Sequence, residues 1–346
     1  MAKFYDISNW QEKPHFQTGG TRNKSVLENP DTGKLYYFKT SLKKEVIDFK
    51  YEFWSEILAS EIGKELGFNT LEYDIAFYKS EIGCLSESMV DTNVSKLSEG
   101  INYLRGYDPN YSPENKESYS QYTFHFIEKA LSEYRLKDKM KDIVVTIIFD
   151  SLIGNGDRHQ ENWGFIIPNL KSSEKRTDLK AEKAKNILLD SKLFRTLFVF
   201  NSMGQSKKVN DIMDSMKGIF AQIYDSGSCL GRELTDEKVD VMLNDNQMLG
   251  AYINRDRCEI RWKDNKISHF DLIKHIKDET AYKEIVENKI KRVVEAFDDE
   301  KIKKIIENVD KELPEKYFRY KLTDNRKRLI GKFVSLRVER LKQILK

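Results

Sequence analysis

Residues 154–164 read GNGDRHQENWG, a run of small, polar and charged residues set between two apolar stretches. Upstream, Ile147, Ile148, Leu152 and Ile153 have the spacing of an apolar helix that runs into Gly154, and downstream Phe165–Ile167 reads as a short strand. Asp157, His159 and Asn162 therefore sit on a loop fixed at both ends, which is a rigid mount for side chains. Asp157 and Asn162 stand five positions apart. Phosphoryl transfer needs a carboxylate that orients a hydroxyl and takes its proton, with a neutral oxygen ligand nearby to help hold a metal on the phosphates. An ordinary Asx turn also gives DxxxxN, so this spacing alone decides nothing.

Three further segments add to it. In Ala221–Leu230, AQIYDSGSCL, an apolar stretch delivers Asp225 to a Ser/Gly turn downstream of the loop, where a second metal ligand belongs; alone, it could equally be a strand ending in a turn. In Leu35–Lys39, LYYFK, the lysine closes a strand just before a helix carrying Glu52 and Glu56. A lysine so placed can meet the α- and β-phosphates while a helix carboxylate holds it. Both glutamates share an arc with Ala59 and Gly63, and Glu52 is preferred by a small margin. In Thr18–Lys24, TGGTRNK, two glycines free the backbone and Arg22 and Lys24 add positive charge, so this loop between the first two strands can cover phosphates. It is neither a Walker A motif nor GxGxxG, and a plain glycine hairpin fits it too.

Outward from these segments, the pattern changes near residue 90. Before it, Phe4–Ile7, Leu35–Phe38 and Tyr73–Phe77 read as strands, and Glu45–Leu66 as a helix striped by Trp54, Leu58, Ile62 and Leu66 and stopped by Gly67. After it, Phe124–Tyr134, Lys141–Leu152, Glu279–Ala296 and Arg326–Leu345 have helical spacing, Gly106–Gln121 reads as loop, and Asn169–Lys185 as a lysine-rich insertion. The expected architecture is α+β and two-lobed: a small β-rich lobe over residues 1–89 and a larger, mostly α-helical lobe over residues 90–346.

Composition limits what the motifs can mean. At 39% hydrophobic and 33% charged residues, the chain has material for real cores under a heavily charged surface. A net charge of +3 is too small to announce a nucleic-acid or membrane partner, and none is expected. Cys84, Cys229 and Cys258 stand far apart, which supports neither a disulfide framework nor a zinc site and fits cytoplasmic synthesis. There is no run of about eighteen apolar residues and no Sec-type leader pattern, which leaves export by a route that reads no such signal open. His15, His125, His269 and His275 lack metal-ligand spacing.

GNGDRHQENWGF together with AQIYDSGSCL resembles the paired signature of HipA-like serine/threonine kinases, and TGGTRNK, YYFK and CLSESM fall in that family's order. The resemblance spans Thr18 to Leu230 and is closest to the single-chain, effector-like branch of cell-translocating (CtkA-type) kinases. It implies a protein-kinase-like fold, ATP and Mg2+ as cofactors, a protein substrate and autophosphorylation. Carried over residue by residue, it implies Asp157 as base, Asn162 and Asp225 as metal ligands and Lys39 as phosphate contact. Nucleotide contacts are implied at Gly19, Gly20, Thr21, Arg22, Asn23 and Lys24, at the hinge Ser86, Glu87, Ser88 and Met89, at His159, Gln160, Glu161 and Asn162, and at Tyr224 beside Asp225. Thr18, Thr21 and Ser25 are the implied autophosphorylation candidates. The long interval from Asn162 to Asp225 departs from the family pattern, and nothing in the sequence indicates an antitoxin-like partner. A phosphoinositide-type lipid kinase, which shares the DRHxxN loop, and a nucleotide-binding pseudokinase scaffold stay open.

Overall fold

Alternation of side chains across a pleated sheet explains the first half of the chain. The computed structural model describes residues 2–14, 24–43, 49–168 and 218–346; the lysine-rich insertion and most of the 18–24 loop lie outside them. Six strands form one sheet: β1 (Phe4–Asp6), β2 (Gln11–Glu12), β3 (Lys24–Glu28), β4 (Leu35–Thr40), β5 (Asp74–Tyr78) and β6 (Glu81–Glu87). Their order is β1-β5-β6-β4-β3-β2, with β1 parallel to β5 and the other pairs antiparallel. Period-two alternation sends Ile75, Ile82 and Cys84 into the main core. Ala76, Tyr78 and Leu85 face the other way and join Ile7, Leu27 and Phe38 in a smaller cluster.

Helix α1 (Glu52–Glu65) covers the main-core face through Phe53, Trp54, Ile57, Leu58 and Ile62. It begins at Glu52, later than the Glu45 expected, and residues 44–48 lie outside the described set. Gly67, at φ +71°, ends it as expected, since a Cβ there would be strained. Gly63 meets Phe149 and Thr70 so closely that an added Cβ would fall 2.8 and 2.6 Å from them. The indole N–H of Trp54 donates to the Tyr320 carbonyl at 2.6 Å, which ties the helix to the distal end of the chain.

The rest is helix-rich. A second, antiparallel sheet joins β7 (Ser95–Glu99), β8 (Gly164–Pro168) and β9 (Ile219–Phe220). The helices are α2 (Gly100–Tyr107), α3 (Phe124–Glu133), α4 (Met140–Ile153), α5 (Asp236–Asn244), α6 (Asn246–Arg255), α7 (His269–Asp278), α8 (Lys283–Ala296), α9 (Asp299–Asn308) and α10 (Asp324–Ile344). Helix α4 is apolar nearly all round because α7, α8 and α10 pack on it. Thr123, Thr235, Asp245, Ser268, Asp298 and Thr323 each cap a helix by accepting from a first-turn N–H. Helix α2 takes the first two residues of the expected 106–121 loop, and α8 starts four residues after Glu279. The protein is a two-lobed α+β structure, with the β-rich sheet lobe first and the helical lobe after it.

Candidate functional site

Helix α4 stops because Gly154 takes the left-handed conformation, φ 70° and ψ 42°, where its N–H returns to the Asp150 carbonyl at 2.8 Å. A Cβ at Gly154 would also lie 2.6 Å from the Arg337 guanidinium. The chain then wraps around Arg158, which is fully buried. Its Nε and Nη2 grip the Asp150 carboxylate at 2.9 and 2.7 Å, its Nη1 donates to the Asn162 carbonyl at 2.9 Å and to the Tyr224 carbonyl, and its Nη2 reaches Ser226 Oγ at 3.1 Å. Burial works against the guanidinium charge, but Asp150 outweighs it and holds Arg158 protonated. One side chain thus fixes both the 154–162 loop and the 224–226 segment.

The loop presents Asp157 outward. The Asp157 side chain is exposed, and its Oδ2 accepts from Ser228 Oγ at 3.2 Å. Asn162 Nδ2 donates to the Asp157 carbonyl at 2.8 Å, which commits the amide nitrogen and leaves Oδ1 as the atom suited to a cation. His159 Nδ1 accepts from the Glu161 N–H at 3.3 Å, a local turn contact. The Gln160 side chain turns into the helical lobe, where it accepts from the buried Tyr111 hydroxyl at 3.3 Å.

The 221–230 segment is anchored to the sheet lobe. Thr70 and Ile223 form a parallel bridge, and Ile223 N–H donates to Asn69 at 2.8 Å. Tyr224 donates its hydroxyl to the Glu161 carbonyl at 2.8 Å. Asp225 adopts φ +54°, uncommon for a residue with a Cβ, and its N–H meets the Tyr73 hydroxyl at 3.3 Å. This kink turns the Asp225 carboxylate toward two lysines, with Lys39 Nζ 3.1 Å from Oδ1 and Lys24 Nζ 3.4 Å from Oδ2.

Lys39 is held from both lobes. It lies in β4, buried, and its ammonium also meets Glu56 Oε1 at 3.3 Å. Burial would lower its proton affinity, but Asp225 and Glu56 overcome this and hold it well above the ordinary lysine value. Glu56 Oε2 further accepts the Ser226 N–H at 2.8 Å. The preference for Glu52 is therefore corrected. Glu52 lies one helical turn earlier, at the start of α1, where it pairs with Arg232 and accepts the Leu42 N–H at 2.8 Å. Lys24 is also re-placed: it opens β3 directly opposite Lys39 instead of belonging to a loop.

The remaining expected residues fall around this cluster. Ser86 is buried inside β6 opposite Tyr37, so the strand extends two residues into the expected hinge. The Glu87 side chain turns outward to Lys34 at 2.7 Å and the Tyr36 hydroxyl at 3.1 Å. Ser88 N–H pairs with the Leu35 carbonyl at 2.8 Å, and Met89 follows it. Ser25 sits in β3 and donates to Glu12 at 2.7 Å. Thr18, Gly19, Gly20, Thr21, Arg22 and Asn23 lie outside the described residues.

Among the described residues no group of three or more His, Cys, Asp or Glu side chains could hold a metal. Asn162 and Asp225 are two oxygen donors on segments that Arg158 joins. That suits a cation such as Mg2+, which takes few protein ligands and completes its shell with phosphate and water. Sequence reading missed Arg158, Asp150 and Tyr73. A lone aspartate in the apolar helix IIFDSLI was the available signal, since a carboxylate there demands a buried cation.

No family model and no curated protein matches the sequence. Among solved structures, the fold matches the Helicobacter pylori proinflammatory kinase CtkA with a TM-score of 0.68 at 18% identity, over 98% of this chain and 96% of that one. A Shewanella oneidensis HipA, in a toxin–antitoxin complex with HipB and operator DNA, aligns at 12% identity and a TM-score of 0.49, over 98% of this chain and 67% of that one. The first likeness establishes a HipA-like kinase fold.

Proposed function

We propose that the chain is an ATP- and Mg2+-dependent kinase that transfers the γ-phosphoryl group to serine or threonine hydroxyls of a protein. The observation that carries this reading is the contact between lobes: Lys39 of the sheet lobe lies 3.1 Å from Asp225 beside the 154–162 loop, with Glu56 3.3 Å from the same ammonium. In this arrangement Lys39 and Lys24 offer positive charge to the triphosphate, and Asn162 Oδ1 and Asp225 are the donors for the metal. When bound, the metal neutralises charge that develops on the phosphates. Asp157, exposed and steadied by Ser228, orients the acceptor hydroxyl and takes its proton. Arg158 keeps base and metal donors in register by bonding the carbonyls of both Asn162 and Tyr224. The hinge between lobes is assigned to Ser88–Met89, close to the proposed boundary at residues 89 and 90.

The likeness to a kinase fold, the occupied catalytic positions and the sequence resemblance support this reading together. The test is incubation with γ-labelled ATP and Mg2+, offering a generic basic protein and inositol-lipid vesicles in parallel. Label on protein serine or threonine is expected. Strong labelling of lipid alone would make this a lipid kinase, and ATP binding without transfer to either would make it a scaffold. Phosphopeptide mapping of the labelled chain reads whether Thr18, Thr21 or Ser25 is modified; phosphate there is expected to lower activity by placing negative charge where ATP brings its own.

A further inference from the structure

Tyr73 is a buried phenol whose ring packs in the main core and whose hydroxyl the proposed chemistry does not use. It ends the short segment 69–73 that leads from α1 into β5. That segment is fixed to α1 one helical turn after Glu56: Ser60 Oγ donates to the Leu71 carbonyl at 2.7 Å, and Thr70 Oγ1 to the Ser60 carbonyl at 3.1 Å. On its other side it starts a parallel ladder with the segment that carries Asp225. Ile223 N–H donates to the Asn69 carbonyl at 2.8 Å, and Leu71 N–H to the Ile223 carbonyl at 2.9 Å. Continued in the same register, the next bond would run from Asp225 N–H to the Leu71 carbonyl and keep residues 223–225 extended. The chain does otherwise. Asp225 turns to φ +54°, and its N–H donates to the Tyr73 hydroxyl at 3.3 Å.

The next amide is held in the same way, with Ser226 N–H donating to Glu56 Oε2 at 2.8 Å. Two consecutive N–H groups around Asp225 are thus received by side chains of the sheet lobe and not by a backbone strand. A left-handed residue with a Cβ is disfavoured by about as much as one hydrogen bond contributes, so the Tyr73 bond decides which way the chain turns. A phenol suits this task, because it accepts an N–H without bringing a charge beside the carboxylate. The geometry points to Tyr73 as a positioning residue: by holding the Asp225 N–H it selects the turned conformation in which the Asp225 carboxylate can take a phosphate-bound divalent cation. Without that hydroxyl the N–H can return to the Leu71 carbonyl, and the carboxylate leaves its place beside Lys39 and Lys24. The role rests on the kinase reading of Asp225, but its test needs no phosphoryl transfer.

Affinity for ATP is measured by calorimetry on the full chain, with Mg2+ and with EDTA, for wild type, Tyr73→Phe, Asp225→Ala and the double variant, beside label transfer from γ-labelled ATP. Phenylalanine keeps the ring and removes only the hydroxyl. Mg2+ is expected to tighten ATP binding in wild type, and Tyr73→Phe should reduce that tightening about tenfold, the effect of one hydrogen bond left unmade. Metal-free ATP should bind Tyr73→Phe at least as well as wild type, because the carboxylate no longer faces the phosphates as a like charge. On the Asp225→Ala background the hydroxyl should make no further difference. Tightening by Mg2+ that is undiminished in Tyr73→Phe, or a loss shared equally by metal-free and Mg-bound ATP, would overturn the assignment and leave Tyr73 a packing residue. The same loss on the Asp225→Ala background would overturn it too. ATP binding that Mg2+ does not tighten in wild type would remove Asp225 as metal donor, and both readings with it. A tightening that depends on Tyr73, without label transfer, would sink the kinase reading and keep this one.

Discussion

Replacing Arg158 with methionine removes the cation that joins the two halves of the site and leaves Asp150 charged and fully buried without it. Asp150 and Arg158 are both fully buried, at 2.7 and 2.9 Å contacts. Breaking such a pair from one side costs about 3–5 kcal/mol, mostly because the remaining charge is uncompensated. At about 2 °C per kcal/mol for a chain of this size, the calorimetric transition of the helical lobe should fall by roughly 6–10 °C. Pairing Arg158→Met with Asp150→Leu removes both charges and should return about half of the loss. Recovery stays partial because the Asn162 and Tyr224 carbonyls lose a donor in either case. Scanning calorimetry of wild type, the two single variants and the double variant gives the coupling directly. A double variant no more stable than Arg158→Met would refute the reasoning, since the uncompensated carboxylate would then not be the source of the loss.

Glu56→Gln should lower label transfer by about a hundredfold, because Lys39 loses one of its two positioning carboxylates; Glu52→Gln should instead lower thermal stability through Arg232, and steady-state kinetics beside a melting curve separates the two. Gly164→Ala puts a Cβ 2.4 Å from a backbone oxygen and should cost about 1–3 kcal/mol, read by urea unfolding. His269 is buried with Nδ1 2.9 Å from Asp256; burial lowers its proton affinity, but Cys258 and Asp256 raise it well above the ordinary histidine value. Its stabilisation is therefore complete below the unfolded value and is lost as pH rises through the folded one. Melting temperatures of wild type and His269→Gln should accordingly converge as pH rises above the ordinary histidine value of about 6.5.

The expected segments were legible where hydrophobic period and punctuation agreed. Leu35–Lys39, the stripe from Trp54 to Leu66, Gly67 and the apolar run into Gly154 all carry their own signals, and the structure forms an element or a stop at each. Strands β6 and β3 are among those missed, each for a physical reason. The β5–β6 hairpin turns on Lys79 and Ser80, at φ 47° and 68°, without the Asn-Gly that usually marks such a turn. Strand β3 follows the 18–24 loop directly, and its first residue, Lys24, reads as loop charge until it is paired with Lys39. In the site, periodicity placed Glu52 and Glu56 on one arc, but which one reaches Lys39 depends on how α1 crosses the sheet. Arg158 was within the quoted loop, but its partners lie at positions 150, 162, 224 and 226, and only the folded chain brings these together.

The central claim is that Asp157 and Asp225 act on one triphosphate as base and metal donor. The most direct measurement is transfer from γ-labelled ATP to protein serine or threonine in wild type, Asp157→Ala and Asp225→Ala, with Mg-nucleotide affinity taken on the same samples. Transfer should be lost in both variants, with affinity for Mg-ATP kept in Asp157→Ala and weakened in Asp225→Ala. Transfer at the wild-type rate in either variant would contradict it.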